Sequence, residues 1–386
     1  MLPESLLGVP PLEDLRSDGF TLAAACGLPP GLERDDRAVL RLPPACSCQR
    51  RLKEGRLTRP VNIVECTRLQ ESTRVGGDTG GLHFHASVPL ISKGRPLGLL
   101  NAASSKRQFL TQADLHFLSA VGAQLVIALE RAHFYEVAEA RRVALENELQ
   151  VAREVQEDLM PREMPDVPGY SYAAAWHPAR QVAGDLYKMF PLGQDRWGIM
   201  IGDVADKGTA AALHMAVLDS LVLSGSLRHR SPAAVLSEIN QTLLRQWAAS
   251  AMFATVFLGV LDLNDQALTY ANAGHNPPIV RRASGTIESL TRTGSALGVF
   301  EEPQLTDAAI NLRSGDTVML YTDGVTEAWP AHPGSEQYGL RRLTAAISGG
   351  PGEADKLLAH VEADLNAFTG GAAQQDDVTL LVVSKD

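Results

Sequence analysis

Residues 198–208 read Gly198-Ile199-Met200-Ile201-Gly202-Asp203-Val204-Ala205-Asp206-Lys207-Gly208. The apolar run Gly198 to Val204 predicts a strand, and an acid stands near its end among small residues. Three further acidic sites share that context: Val182-Ala183-Gly184-Asp185, Tyr321-Thr322-Asp323-Gly324 and Gln375-Asp376-Asp377-Val378. Carboxylates at strand ends converge on one edge of a sheet, and gathering them away from water is costly unless a cation is present. Such hard oxygen ligands suit Mg2+ or Mn2+, and the glycines beside them allow close approach of backbone carbonyls. A single Gly-Asp is an ordinary turn; four acidic sites, each joined to a strand, point to a site. No His/Cys set at zinc spacing occurs in this region. Two clustered divalent ions would activate a water and orient a phosphoryl group, so the expected chemistry is metal-assisted hydrolysis of a phosphate ester.

Outward from this stretch, strand-like runs cover Thr255 to Asp262, Leu268 to Ala271, Thr317 to Tyr321 and Val378 to Val383. Helix-like runs cover Thr209 to Leu227, Pro232 to Trp247, Leu340 to Ile347 and Glu353 to Phe368. Several strands follow one another with no helix between, which favours an α+β plan of antiparallel sheets with segregated helices.

The chain has 386 residues with 35 Lys plus Arg against 45 Asp plus Glu, a net charge of −10. Nucleic acid and anionic membrane are therefore excluded as the main partner, because both are bound through basic surface. With 45% hydrophobic and 21% charged residues, a disordered chain or a coiled-coil rod is excluded for most of the length. No uninterrupted apolar run predicts a membrane span, the start lacks a secretory pattern, and four cysteines cannot make a disulfide scaffold. A cytoplasmic protein is the expectation.

Residues 129–160 contain neither Pro nor Gly and predict a long exposed helix. Leu145, Leu149, Ala152, Gln156 and Leu159 keep a 4-3 spacing, which fits either a spacer helix or a coiled-coil dimer seam with one polar position. Pro161, Pro165 and Pro168 stop the helix.

The segment from about residue 150 to 386 resembles the metal-dependent (PPM, type 2C) Ser/Thr protein phosphatases, in their bacterial SpoIIE-like branch. The resemblance rests on Val155-Gln156-Glu157-Asp158-Leu159-Met160-Pro161, Gly184-Asp185-Leu186-Tyr187, Gly202-Asp203-Val204-Ala205-Asp206-Lys207-Gly208 and Phe253-Ala254-Thr255. It continues through Ala271 to Pro278, Leu297-Gly298, Leu320 to Glu327 and Gln375-Asp376-Asp377-Val378-Thr379. It implies an α-β-β-α sandwich of two antiparallel sheets with a site for two Mn2+ or Mg2+ ions at one edge. By the same resemblance Asp203 bridges both ions and the Val204 carbonyl completes one shell. Asp323 and Asp376 bind the other ion, and Asp185 is a direct or water-mediated ligand. A dimetal-activated water then hydrolyses phosphoserine or phosphothreonine on a signalling partner, for which the branch implies an anti-sigma-factor antagonist of the STAS type. Relatives carry a second acid at the first motif where this chain has Lys188, so a catalytically impaired signalling scaffold is the alternative. His275 reads as a turn histidine and is left out of the catalytic set.

His83-Phe84-His85-Ala86-Ser87-Val88-Pro89-Leu90 and Gly94-Arg95-Pro96-Leu97-Gly98-Leu99-Leu100-Asn101 resemble the late strands of a GAF domain, and the helix Gln112 to Glu130 its closing helix. The opening helix and first strand read as short or absent. The expected organisation is a GAF-like α/β sensor domain at 1–130, a helical linker at 131–165 with a coiled-coil pattern, and a phosphatase domain at 166–386. The sensor would receive a small-molecule or redox signal, and homodimerisation would run through the linker. Cys46, Cys48 and Cys66, with His83 and His85, read as core residues, a metal or redox cluster, or the wall of a small-molecule pocket; their spacing matches neither a zinc ribbon nor a ferredoxin. A histidine kinase is excluded, since no glycine-rich ATP-binding boxes follow the linker.

Overall fold

Val378-Thr379-Leu380-Leu381-Val382-Val383 presents apolar groups to both faces of a strand, and such a strand is stable only when both faces are covered. In a computed structural model of the chain it is covered on both. The structure describes residues 20, 22–33, 46–64, 66–105, 109–161, 165–193, 195–247, 252–331 and 336–386. The chain divides into two compact units, Met1–Ala144 and Leu145–Asp386. The start of the expected GAF-like domain, before residue 20, and residues 162–164 of the expected linker lie outside the described residues.

In the first unit, β1 (Val61–Ile63), β2 (His85–Ser92) and β3 (Arg95–Ala102) form an antiparallel sheet in that order. Lys93 and Gly94 both take positive φ, 47° and 82°, as a tight two-residue hairpin requires. Two short helices, α1 (Ser47–Lys53) and α2 (Thr67–Arg74), precede β2. Thr111 caps the helix that follows: the Asp114 carboxylate accepts from the Thr111 N–H at 2.8 Å, and the Asp114 N–H donates to the Thr111 hydroxyl at 3.2 Å. The helix that follows, α3 (Gln112–Leu159), is continuous for 48 residues, and the boundary between the units falls inside it. A Cβ at Gly122 would lie 2.9 Å from a Val88 methyl, so this interruption of the apolar run lets α3 lie close against β2.

In the second unit, one sheet has the order β10-β9-β12-β13-β4 and the other β11-β8-β7-β6-β5, and every pairing is antiparallel. The first comprises β4 (Tyr170–His177), β9 (Ile279–Arg281), β10 (Ile287–Ser289), β12 (Thr317–Tyr321) and β13 (Val378–Lys385). The second comprises β5 (Leu186–Gly193), β6 (Arg196–Val204), β7 (Ala254–Asp262), β8 (Ala267–Ala273) and β11 (Ala308–Asn311). Helices α4 (Thr209–Arg228) and α5 (Pro232–Trp247) cover the second sheet. Past the short α6 (Asp323–Thr326), α7 (Gly339–Gly349) and α8 (Ala354–Thr369) cover the first. The period of two along β12 and β13 divides their side chains between two cores. Val318, Leu320, Leu381 and Val383 join the core between the sheets, while Met319, Tyr321, Leu380 and Val382 join the core under α7 and α8. Each such side chain contributes about 1.5–3 kcal/mol by leaving water.

The α-β-β-α plan agrees with the expectation. The four helix-like runs and the five strand-like runs of the second unit all form, within a few residues of the expected ends. Strands β4, β5, β9, β10 and β11 were not anticipated; β9 to β11 are three or four residues long, too short for a periodic signal. Among the described residues, two helices, α3 and α4, are long and apolar enough to cross a membrane by length and composition alone, which differs from the expectation drawn from uninterrupted apolar runs. Ala211, Met215, Leu218 and Val222 of α4 are buried in the core.

Candidate dimetal centre

The acids come from both sheets. Asp203 is the penultimate residue of β6, and Asp185 immediately precedes β5. Asp323 opens α6 just beyond β12, while Asp376 and Asp377 immediately precede β13. Strand ends of two stacked sheets thus deliver all five to one edge of the sandwich. Glycines make the approach possible: a Cβ on Gly184 would lie 2.8 Å from the Val204 carbonyl oxygen, and one on Gly324 would overlap the Asp377 carbonyl at 1.9 Å.

Asp185 is buried, 2% exposed. Its Oδ2 accepts hydrogen bonds from the Thr322 hydroxyl at 2.7 Å and the Thr379 hydroxyl at 2.6 Å. Two hydroxyls of one sheet, Thr379 in β13 and Thr322 just past β12, therefore orient an acid at the edge of the other. Asp377 is committed differently: it accepts from the Ala179 N–H and the Gly184 N–H, each at 2.8 Å. It ties down the loop that carries Asp185. The Lys207 ammonium donates to the Asp376 carboxylate at 2.8 Å and to the Gln375 carbonyl at 2.9 Å.

The electrostatics are those of crowded negative charge. Burial, then the charges of Asp323, Asp376 and Asp377, push the Asp203 carboxyl up to about 7, with Lys207 opposing. Burial and then Asp376 raise Asp323; burial and then Asp203 raise Asp185. Among the described residues, no three His, Cys, Asp or Glu side chains already form a closed cage, and Lys207 holds one of the acids. The donor set is all oxygen, backed by the Val204 carbonyl, and a hard divalent cation would offset the repulsion. The residues fit such an ion.

Residues 193–386 match the family described as Stage II sporulation protein E (SpoIIE). The chain belongs to the SpoIIE family. Residues 15–130 match the GAF domain, so both halves of the resemblance hold and the N-terminal domain reaches before residue 20. Protein IcfG of Synechocystis sp. is 31% identical over 265 residues, covering 62% of this chain and 42% of that protein. The phosphoserine phosphatase RsbU of Bacillus subtilis is 30% identical over 204 residues, covering 52% of this chain and 59% of RsbU. The chain thus spans about half the length of these curated relatives. The SiaA-PP2C domain of Pseudomonas aeruginosa superposes with a TM-score of 0.57 at 22% identity, over 64% of this chain and 99% of that one. The SpoIIE segment therefore has the PP2C fold.

Lys188 lies away from this cluster. It sits three residues into β5, and its ammonium binds the two carboxylate oxygens of Asp219 on α4 at 2.7 and 2.6 Å. Gln156 departs from the seam expected of it. Only 3% exposed, its amide donates to the Ala183 carbonyl at 2.7 Å and accepts from the Ala183 N–H at 2.9 Å. As a polar seam position between two chains it is already used within its own unit. Lys207, Thr322, Thr379 and Asp377 stand within the motifs, but spacing assigns them no role because their partners are distant in sequence. His275, 2% exposed, pairs with the Thr255 hydroxyl at 2.8 Å, as a residue fixing its loop would.

Proposed function

We propose that this chain is a divalent-cation-dependent phosphoprotein phosphatase whose site is formed by Asp185, Asp203, Val204, Asp323 and Asp376. The observation that carries this reading is the delivery of Asp203, Asp323 and Asp376 from two sheets to one edge, where Lys207 is their charged counterweight. Two Mn2+ or Mg2+ ions would supply the positive charge that activates water and stabilises phosphate. Asp203, central in the cluster, would hold the ions together with the Val204 carbonyl beside it. Asp323 and Asp376 would hold the second. Asp185, oriented by Thr322 and Thr379, keeps one oxygen for the site. RsbU's name, phosphoserine phosphatase, supports phosphoserine or phosphothreonine as the bond cleaved.

Residues 1–130 act in this reading as the sensor, 131–165 as a helical coupler that pairs two chains, and 166–386 as the catalytic domain. The substrate is a phosphorylated protein of the STAS anti-sigma-factor antagonist class, and the setting is cytoplasmic. Gln156 gives the coupler a route to the site, since it holds the backbone two residues from Asp185. The scaffold alternative rests on Lys188 standing where an acid is expected; its pairing with Asp219 supports a structural role for that lysine.

Manganese-dependent hydrolysis of p-nitrophenyl phosphate tests the reading. Activity in the full chain that disappears in D203N supports it; no activity at saturating Mn2+ or Mg2+ would refute it in favour of the scaffold.

A further inference from the structure

Three of the four cysteines in the first unit are buried: Cys46 at 8%, Cys48 at 2% and Cys66 at 6% exposure. None is in a disulfide, and Cys26 is exposed. Cys46 is the last extended residue before α1, with φ −64° and ψ 167°, and Cys48 lies in the first turn of that helix. The change from extended to helical backbone turns both side chains to one side, and their Sγ atoms meet at 2.9 Å. A disulfide requires about 2.05 Å, so closure needs a shift of less than about 1 Å. Cys66 stands at the start of α2, and the charge of Arg68, two residues on, acts on Cys46.

The two thiols are unequal. The contact with Cys48, then the backbone N–H groups of Gln49 and Cys48 and last the Arg68 charge lower Cys46 to about 6, although burial opposes. The same contact, then burial, move Cys48 far upward, and burial raises Cys66. The 2.9 Å contact places two sulfurs of unequal acidity side by side, the arrangement an attacking and a resolving cysteine require. Among the described residues, no third His, Cys, Asp or Glu completes a metal-binding set here.

We propose that Cys46 and Cys48 form a dithiol redox site that reduces a small peroxide by two electrons and closes to an intrachain disulfide. The Cys46 thiolate attacks one peroxide oxygen, the O–O bond breaks, and the departing hydroxide takes a proton to leave as water. Cys46 is then a sulfenic acid. The Cys48 sulfur attacks the Cys46 sulfur, the S–O bond breaks, and the second oxygen leaves as water with the Cys48 proton. Two thiols and one hydrogen peroxide become one disulfide and two waters. The low exposure of both sulfurs selects an oxidant the size of hydrogen peroxide over a protein disulfide.

The test uses the full-length reduced chain, hydrogen peroxide, and peptide mapping after alkylation under denaturing conditions. Trypsin releases Leu42–Arg50, which contains both cysteines. The expected result is a loss of two of the four alkylatable thiols, with this peptide unalkylated, lighter by two hydrogens, and restored by dithiothreitol. C48S should accumulate a dimedone-reactive sulfenic acid on Cys46, and C46S should lose the rapid reaction. Retention of all four thiols would overturn the proposal, as would a disulfide to Cys26 or Cys66, or oxidation of Cys46 beyond sulfenic acid without closure. The wild-type map decides the matter even if a variant fails to fold, and it is independent of any phosphatase assay.

Discussion

The side-chain amide of Gln156 forms both possible hydrogen bonds with the backbone of Ala183, 2.7 Å to its carbonyl and 2.9 Å from its N–H. Gln156 stands in the last turn of the 48-residue helix α3, and Ala183 is two residues before Asp185. A side chain at the end of a helix is thereby substituted for the strand partner that this peptide lacks. Any rotation of the helix end would pull on the backbone that places the buried acid.

Replacing Gln156 with Leu should leave the Ala183 N–H and carbonyl buried and unsatisfied. Two lost bonds of this kind cost about 1–3 kcal/mol each. Urea unfolding should report that loss, and Mn2+ titration of phosphatase activity should show a raised activation midpoint. Unchanged stability and midpoint would show that the latch carries no load.

D203N should reduce Mn2+-dependent turnover by at least about 100-fold, since the lost charge stands where several kcal/mol of stabilisation are needed. Without metal, the same variant should melt higher than wild type, because it removes one of the mutually repelling carboxylates. Thermal melts in EDTA distinguish this electrostatic effect from damage to the fold, which would lower the melting temperature.

Lys207 competes with any cation for Asp376. Its ammonium is 43% exposed and its partner 35%, so the pair is worth no more than about 1 kcal/mol. K207M should lower the Mn2+ concentration for half-maximal binding by about two- to five-fold, read by calorimetric titration. A weaker midpoint would assign Lys207 to holding the site together.

Lys188 and Asp219 are 18% and 7% exposed, and breaking a pair at that depth from one side costs about 3 kcal/mol. K188M should destabilise by roughly that amount, and K188M combined with D219L should recover most of it. K188D, which would rebuild the acid that relatives carry, should destabilise without raising activity, because it sets two carboxylates against each other. A large gain in activity would place the residue at the metal site after all.

His275 is buried, and its pKa is lowered to about 3, chiefly by loss of water. In the unfolded chain an imidazole protonates near 6.5. Its contribution is therefore constant above pH 6.5, and stability is lost progressively as pH falls from about 6.5 towards 3. At pH 4 the loss is at most about 3 kcal/mol. H275N, at a cost common to all pH values, should flatten the stability profile below pH 6.5 in denaturant titrations; an unchanged acid limb would mean that His275 is not the group responsible.

The fold and the acids of the candidate site were legible for a local reason. A strand that ends on Gly-Asp carries its apolar run, its turn and its acid within a few adjacent residues, as in Ile201-Gly202-Asp203-Val204. Asp185, Asp323 and Asp376 likewise adjoin the end of an apolar run within a few residues, and the antiparallel plan followed from strands with no helix between them. What holds those acids was not legible. Thr322 and Thr379 reach Asp185 from 137 and 194 positions away, and Lys207 meets Asp376 across 169. No spacing rule relates such residues.

The amino-acid sequence by itself determined which residues could gather charge, where strands and helices run, and that the chain combines a GAF domain with a SpoIIE domain, because periodicity and motifs are properties of neighbours along the chain. Only the tertiary structure decided what each polar group faces. It turned Lys188 to Asp219 and Gln156 to Ala183, and it set Cys46 against Cys48. A buried polar group must find its partner in space, and the partner is supplied by whichever distant element packs against it.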